Sequence, residues 1–311
     1  MRPQFSIIFF TTLAGMAQGL LFFLALINLE APVLSATFLI NLALPVSFIL
    51  LTLGLIASFF HLGHPERAWR AAMMWRTSWL SREVIALPVV MLATALTFLY
   101  IKSGIAPTWL WAAVMMSTLA LWICTAKIYQ CIRFIQEWSH PSTLSNFILL
   151  GLSSGGLLLE FLLLVWNEPN TPIGISLISV VNFIVLFLAL NLKLWMWRRN
   201  QKLKPKSNLA SATGIKGSNI RQTSMGFMGG SFNTREFFHH QTDRVINNIR
   251  KITLLMVYVV PMILLAFNIN SPSVSQITLA LAIHYVGLLA ERWMFFAEAN
   301  HPQNLYYQRV S

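Results

Sequence analysis

Eight apolar segments, each long enough to cross a bilayer, govern what fold this sequence can adopt. They run over approximately 5–28, 37–60, 83–101, 107–129, 143–166, 174–197, 250–267 and 275–297. Roughly 20 helical residues cross about 30 Å of hydrocarbon, and tilt absorbs small differences in length. Within the segments Leu, Ile, Phe, Ala and Val follow one another without strict alternation. An eight-stranded barrel asks instead for segments of about 10 residues with period-two patterning. The expected fold is therefore all-α: a polytopic membrane protein with eight transmembrane helices in two four-helix halves, 1–140 and 141–311. The first run exceeds the apolar stretch of a signal peptide and precedes no small-residue cleavage site, so it reads as an uncleaved span.

Only 10% of the residues are charged, against roughly 25% in soluble domains. The net charge of +12 could suggest a nucleic-acid partner, but the positive residues sit between spans, where they set orientation. Lys102 stands on one side of the membrane, and the other 21 of the 22 Lys and Arg residues fall to the opposite side. Positive-inside reasoning puts that side, with both termini and the connections 61–83 and 198–249, in the cytoplasm. The expected partner is thus the lipid bilayer, and no nucleic acid.

The connection "HLGHPERAWRAAMMWRTSWLSRE", residues 61–83, concentrates polar chemistry at one membrane edge. Gly63 and Pro65 stop one helix, and Pro65 suits the first turn of the next. At about 100° per residue, a short helix over 65–76 lines up Trp69, Ala72, Met73 and Arg76 on an apolar stripe, with Arg67, Arg70 and Met74 opposite. Such a helix lies along the interface. Ser81 reads as the cap of the third span, with Glu83 in its first turn. Each residue has a plain role: Glu83 complements the helix dipole, and His61 is a polar end to span two.

Taken together they suggest more. Neighbouring spans lie about 8–10 Å apart, so His61 and Glu83 would face one crevice at the hydrocarbon boundary. Quinone conversion needs such a place, with partners for two protons, hydrogen bonds for a headgroup and lipid access for the tail. Arg76 and Trp69 complete the candidate quinone-binding set.

Deeper in the spans, Glu160, His284 and Glu291 are functional candidates because ionisable groups are costly there. They are read as a possible proton path, with hydrogen-bonded packing residues as the alternative for Glu160. "GLSSGGL", just before Glu160, supplies small residues for close helix contact. His284 alone lies well inside a span, so paired axial ligands for haem are not expected. Two cysteines, Cys124 and Cys131, are too few for an iron–sulfur cluster and read as buried small hydrophobes. The metal expectation is none. The 198–249 connection opens as a basic linker. It continues through Phe227, Phe232, Arg235 and Phe237, which suit a docking surface for a cytoplasmic partner or a loop folded back on its own helices. Pro45, Pro88 and Pro261 interrupt spans, as in a secondary transporter, although the richest polar cluster lies at an edge.

"ASFFHLGHPERAWRA" with "RTSWLSREV", and "LLAERWMFFAEANHPQNLYY" near the C-terminus, resemble the dimethyl sulfoxide reductase anchor subunit family (DmsC-like). The resemblance extends over most of the sequence. It implies a membrane anchor for a molybdopterin catalytic subunit and a four-cluster iron–sulfur subunit. Such an anchor exchanges electrons with the quinone pool, ubiquinone or menaquinone, and holds no haem or cluster. The family's quinol-site histidine corresponds to His61 and its acidic partner to Glu83. The long 198–249 insert, with "GFMGGSFNTREFFH", is similar to anchors of the cytoplasmic sulfite dehydrogenase (quinone) branch. That branch implies sulfite oxidation with quinone reduction. Menaquinol oxidation for sulfoxide reduction, and a purely structural anchor, are the neighbouring alternatives.

Overall fold

In lipid, each backbone N–H and C=O must find its partner within the protein, and the apolar runs meet this demand as helices. The computed structural model describes residues 2–30, 34–60, 64–105, 107–167, 174–217, 219–221, 223 and 239–302. Among the described residues, eight long helices cross the bilayer: α1 Phe5–Glu30, α2 Ala36–Phe59, α3 Trp79–Lys102, α4 Thr108–Gln130, α5 Ser142–Trp166, α6 Ile175–Gln201, α7 Asp243–Asn270 and α8 Val274–Ala297. No strand occurs among the described residues. The protein is an all-α, multi-pass membrane protein.

Several boundaries differ from the apolar runs for local reasons. α3 begins at Trp79 because Ser78 caps it, its hydroxyl accepting from Ser81 N at 3.3 Å. The capping serine is therefore Ser78 and not Ser81, and Glu83 sits in the second turn, beyond the reach of a first-turn dipole role. α6 runs on to Gln201, and α7 starts at Asp243 under a Thr242 cap. Polar residues continue both helices past the lipid edge, where hydropathy no longer reports them.

α1 and α5 form the centre of the bundle. Two-thirds of each apolar span is buried, 67% in both. They touch backbone to backbone: a Cβ on Gly19 would stand 1.9 Å from the Gly151 carbonyl oxygen, and one on Gly155 2.2 Å from Leu20 N. Gly15 with Gly19 and Gly151 with Gly155 thus make a pair of small-residue faces at a close crossing. Around it α1 packs on α2 and α4, α3 on α4, α5 on α6, and α8 on α5 and α7. One apolar core joins α1–α4 to Leu158, Leu159 and Leu162 of α5. A second lies among α5–α8. A third, at the edge that carries most of the positive charge, gathers Trp138, Phe147, Phe295 and Phe296 around Tyr129. Outward-facing Ile49, Leu92, Ile184 and Phe267 present the apolar surface that lipid covers.

The prolines do not break their helices. π-helical stretches, Leu39–Ala43 and Leu254–Val259, precede Pro45 and Pro261. A proline cannot bond the carbonyl four residues before it. For Pro261 that carbonyl is Val257 O, and His284 Nδ1 takes it at 2.8 Å. α2, α3 and α7 each remain continuous through their proline, unlike the unwound helices of transporters. Of the cysteines, Cys124 is buried but Cys131 is exposed at the end of α4, where the helix stops before the burial expected of it.

The connection before α3 is a 3-10 helix, Pro65–Met74, followed by a turn. At about three residues per turn, Arg67, Arg70 and Met73 align, and Arg76 extends their row. This corrects the reading of Arg76 on an apolar stripe, which assumed α-helical period. Arg76 is exposed, and so is Trp69, at 64%.

Gly155→Val should strongly destabilise the protein, by at least the roughly 1–3 kcal/mol typical of overpacking, because its side chain lands on the α1 backbone. Gly174→Ala, with nothing within 4 Å of its added Cβ, should leave the melting temperature of the purified protein unchanged. Equal melting of the two variants would contradict the close crossing.

Candidate functional site

Three of the carboxylates buried in the bundle, Glu83, Glu160 and Glu291, differ in how they are partnered. A buried carboxylate is tolerable when donors or cations replace its water. Glu160, fully buried on α5, accepts from the Ser179 hydroxyl, from Asn182 Nδ2 at 2.9 Å and from Asn268 Nδ2 at 2.6 Å. Asn268 in turn accepts from Ser273 N at 2.7 Å. The cluster ties α5, α6 and α7 together near one membrane face.

Glu291 on α8 accepts from Lys193 Nζ at 2.7 Å, Arg292 Nε at 2.6 Å and Asn146 Nδ2 at 3.1 Å. Lys193 is 2% exposed and Arg292 3%. Two cations on one carboxylate leave a buried triad of net charge +1, eased by the Phe147 ring 4.3 Å below the Arg292 guanidinium. These two basic residues count towards orientation in the sequence, yet neither is a solvated loop charge. Their positions, several residues inside their apolar runs, carried the missed signal, since charges at such depth need partners.

Glu83 is different. It is 6% exposed on α3, and the Thr125 hydroxyl of α4 donates to its Oε1. No Lys, Arg or His among the described residues lies within ion-pair distance of it. It is the one of the three that is buried without a ring of donors. Thr125 went unnoticed in the sequence because a lone threonine in an apolar span carries no signal of its own.

The proton-path candidates do not meet. His284 bonds Val257 O through Nδ1 and faces the Ser153 hydroxyl through Nε2 at 3.3 Å. Asn146, Ser153 and Glu160 recur every seven residues along α5, as His284 and Glu291 do along α8. The pairs Asn146–Glu291 and Ser153–His284 are successive contacts of that antiparallel seam. Seven residues rise about 10 Å, so each polar pair is separated from the next, and no hydrogen bond among the described residues links Glu160, His284 and Glu291.

At the edge, Arg82 and not Arg76 organises the backbone. Its Nε donates to Trp75 O and its Nη2 to Arg76 O, both at 2.9 Å, and its guanidinium lies 4.2 Å above the Trp79 ring. Arg82 and Trp75 head a lipid-facing groove of about 190 Å³ between α3 and α4, continued by Ile85, Val89 and Ser117. A second cleft, of about 220 Å³, opens beside the ends of α6 and α8, lined by Trp197, Asp243, Arg250 and Glu298. There Glu298 accepts from Trp197 Nε1 at 3.1 Å and from Arg250 Nη2 at 2.9 Å. His61, Phe227, Phe232, Arg235 and Phe237 lie outside the described residues. Among those described, no group of three or more His, Cys, Asp and Glu converges as metal ligands would.

Residues 1–298 match the family described as DMSO reductase anchor subunit (DmsC). The protein is 41% identical to the C subunit of sulfite dehydrogenase from Allochromatium vinosum, across 100% of both sequences. It is 29% identical to the C component of the anaerobic dimethyl sulfoxide reductase from Haemophilus influenzae, over 56% of this sequence and 67% of that one.

The triad makes an unequal prediction. Glu291→Gln leaves two buried cations unmatched and should cost about 3–5 kcal/mol. Lys193→Met leaves a one-to-one Glu291–Arg292 pair and should cost markedly less. Thermal unfolding of the two variants checks this, and equal losses would contradict the arrangement.

Proposed function

The protein belongs to the DMSO reductase anchor subunit family, and from that premise we propose that it anchors a molybdopterin oxidoreductase in the bacterial inner membrane. In this role it exchanges electrons between membrane quinone and a partner four-cluster iron–sulfur subunit. The full-length similarity to the C subunit of a sulfite dehydrogenase favours sulfite as the substrate of the catalytic subunit, with electrons passing to quinone. Service to a sulfoxide reductase, with menaquinol as donor, is the neighbouring reading, supported by the shorter match.

The observation that carries the quinone reading is Glu83. Glu160 and Glu291 are saturated by donors, which suits locking helices together. Glu83, near the membrane edge that carries most of the positive charge, has the Thr125 hydroxyl and no cation among the described residues, so it is free to take or give a proton. A quinone takes up two electrons and two protons on reduction. Glu83 would hold one of those protons, with His61 its partner by family resemblance. The groove headed by Trp75 and Arg82 suits an isoprenoid tail, being apolar along its length and open to lipid. Trp69 and Arg76, exposed in the connection that leads into α3, would meet the quinone at headgroup depth.

The positive edge would face the cytoplasm with both termini. The Trp197–Arg250–Glu298 cleft, together with Phe227, Phe232, Arg235 and Phe237, would form the docking surface for the iron–sulfur subunit. The reading gives His284 a packing role, with Nδ1 bonded to Val257 O and Nε2 facing the Ser153 hydroxyl.

Glu83→Gln, which keeps shape but carries no proton, should lower quinone turnover of the intact complex by about 10²–10⁴-fold, the usual worth of a general acid or base. A non-titrating replacement of His61 should act in the same direction. Both should leave the partner subunits bound, as judged by copurification. Normal turnover in the Glu83 variant would rule out the assignment.

A further inference from the structure

A small internal cavity of about 20 Å³ lies among α1, α4, α5 and α8. A buried water needs roughly 10–15 Å³, so it has room for one or two waters and none for a quinone ring. Gln18, Trp122, Thr125, Ser154 and Arg292 line it. Three of them carry N–H groups with no acceptor among the described residues: Gln18 Nε2, Trp122 Nε1 and Arg292 Nη2. These side chains are 3%, 1% and 3% exposed. Leaving such donors unpaired costs about 1–3 kcal/mol each, so the occupant must accept hydrogen bonds. It must also donate, because Thr125 commits its own proton to Glu83 and turns its remaining lone pairs elsewhere. Water does both, whereas an anion only accepts.

The cavity is the inner end of a series. Beyond Arg292 stands Glu291, and beyond that Lys193, which lines a second pocket of about 10 Å³ together with Glu298. Trp197, Asn200, Glu137 and Glu298 line both this pocket and the open 220 Å³ cleft. We propose that this series is a hydrated proton inlet, leading from the cleft past the Lys193–Glu291–Arg292 triad to Thr125 and so to Glu83. The inlet rests on the reading of Glu83 as the proton carrier of a quinone site.

Each transfer balances. Glu83 takes the Thr125 hydroxyl proton, Thr125 takes one from the adjoining water, and that water recovers one from water entering beside the triad from the cleft, while Lys193, Glu291 and Arg292 keep their own protonation states. No bond to carbon changes. The net positive charge of the triad, whose Arg292 lines the cavity, stabilises the transient proton deficit on the water beside it. Thr125 relays, while Gln18, Trp122 and Arg292 are positioning residues that hold the water.

The test uses the intact complex in membranes, with turnover followed at varied quinone concentration. Thr125→Val keeps the shape and removes the relay, and should lower kcat at least about tenfold with KM for quinone within about twofold, the low end of what a proton-transfer group contributes. Thr125→Ser should restore kcat nearly to its original value, which a packing role for the threonine methyl would not. Trp122→Phe, lacking one N–H, should lower kcat in the same way. If Glu83→Gln is inactive while Thr125→Val turns over normally, the inlet is wrong and the quinone reading stands. If Glu83→Gln turns over normally, both fall. A cryo-electron microscopy map of the complex gives a readout independent of folding defects. Water density within hydrogen-bond reach of Gln18, Trp122 and Arg292 supports the inlet, and an empty cavity in a map that resolves other buried waters overturns it.

Discussion

The meeting of α1 and α5, backbone against backbone at Gly19 and Gly155, sets where everything polar in this bundle can sit. In lipid there is little hydrophobic force between helices, so association relies on close packing and on polar contacts. The crossing provides the first and positions the second. Gly151 leaves room for the Trp122 indole, whose Nε1 would stand 2.7 Å from a Cβ at that position. Close by on α1, Gln18 reaches the same cavity. A side chain at Gly19 or Gly155 would push α1 off α5, and one at Gly151 would displace the Trp122 indole from the pocket.

Around that centre the bundle handles its buried carboxylates in two ways. Neutral donors surround Glu160, and two cations with an amide surround Glu291. Each cluster draws three helices together, and removing a partner exposes the rest to a medium that cannot solvate them. Glu83 follows the opposite logic. A group that has to change protonation state cannot be locked by fixed cations, and Glu83 has none among the described residues. In the proposed reading, partner number separates locks from a working acid where burial alone does not, since all three are buried.

Much of the architecture was legible in the amino-acid sequence. The eight apolar runs located every span, because length and composition suffice where lipid is the solvent. The small residues at Gly151 and Gly155 announced a close contact, although the matching Gly15 and Gly19 passed unremarked within a longer apolar run. Side-chain geometry was harder to read. Arg76 went to the wrong face because the 65–74 segment is 3-10 and not α-helical. Glu83 moved from a capping turn to the interior because Ser78, three residues before Ser81, caps the helix. Lys193 and Arg292 looked like orientation charges because a positive-inside count does not weigh depth. Thr125, Gln18 and Trp122 left no trace in sequence, since their meaning arises when α1, α4 and α5 come together.

Quinone chemistry at the edge where α3 begins, with the saturated carboxylates elsewhere in the bundle holding helices together, is the central claim. The most direct measurement is a cryo-electron microscopy structure of the intact complex with a bound quinone-analogue inhibitor. The predicted result is a headgroup within hydrogen-bonding reach of Glu83 and a tail along the groove of Trp75, Arg82 and Val89. A headgroup beside His284 or Glu160, in the body of the second half, would contradict it.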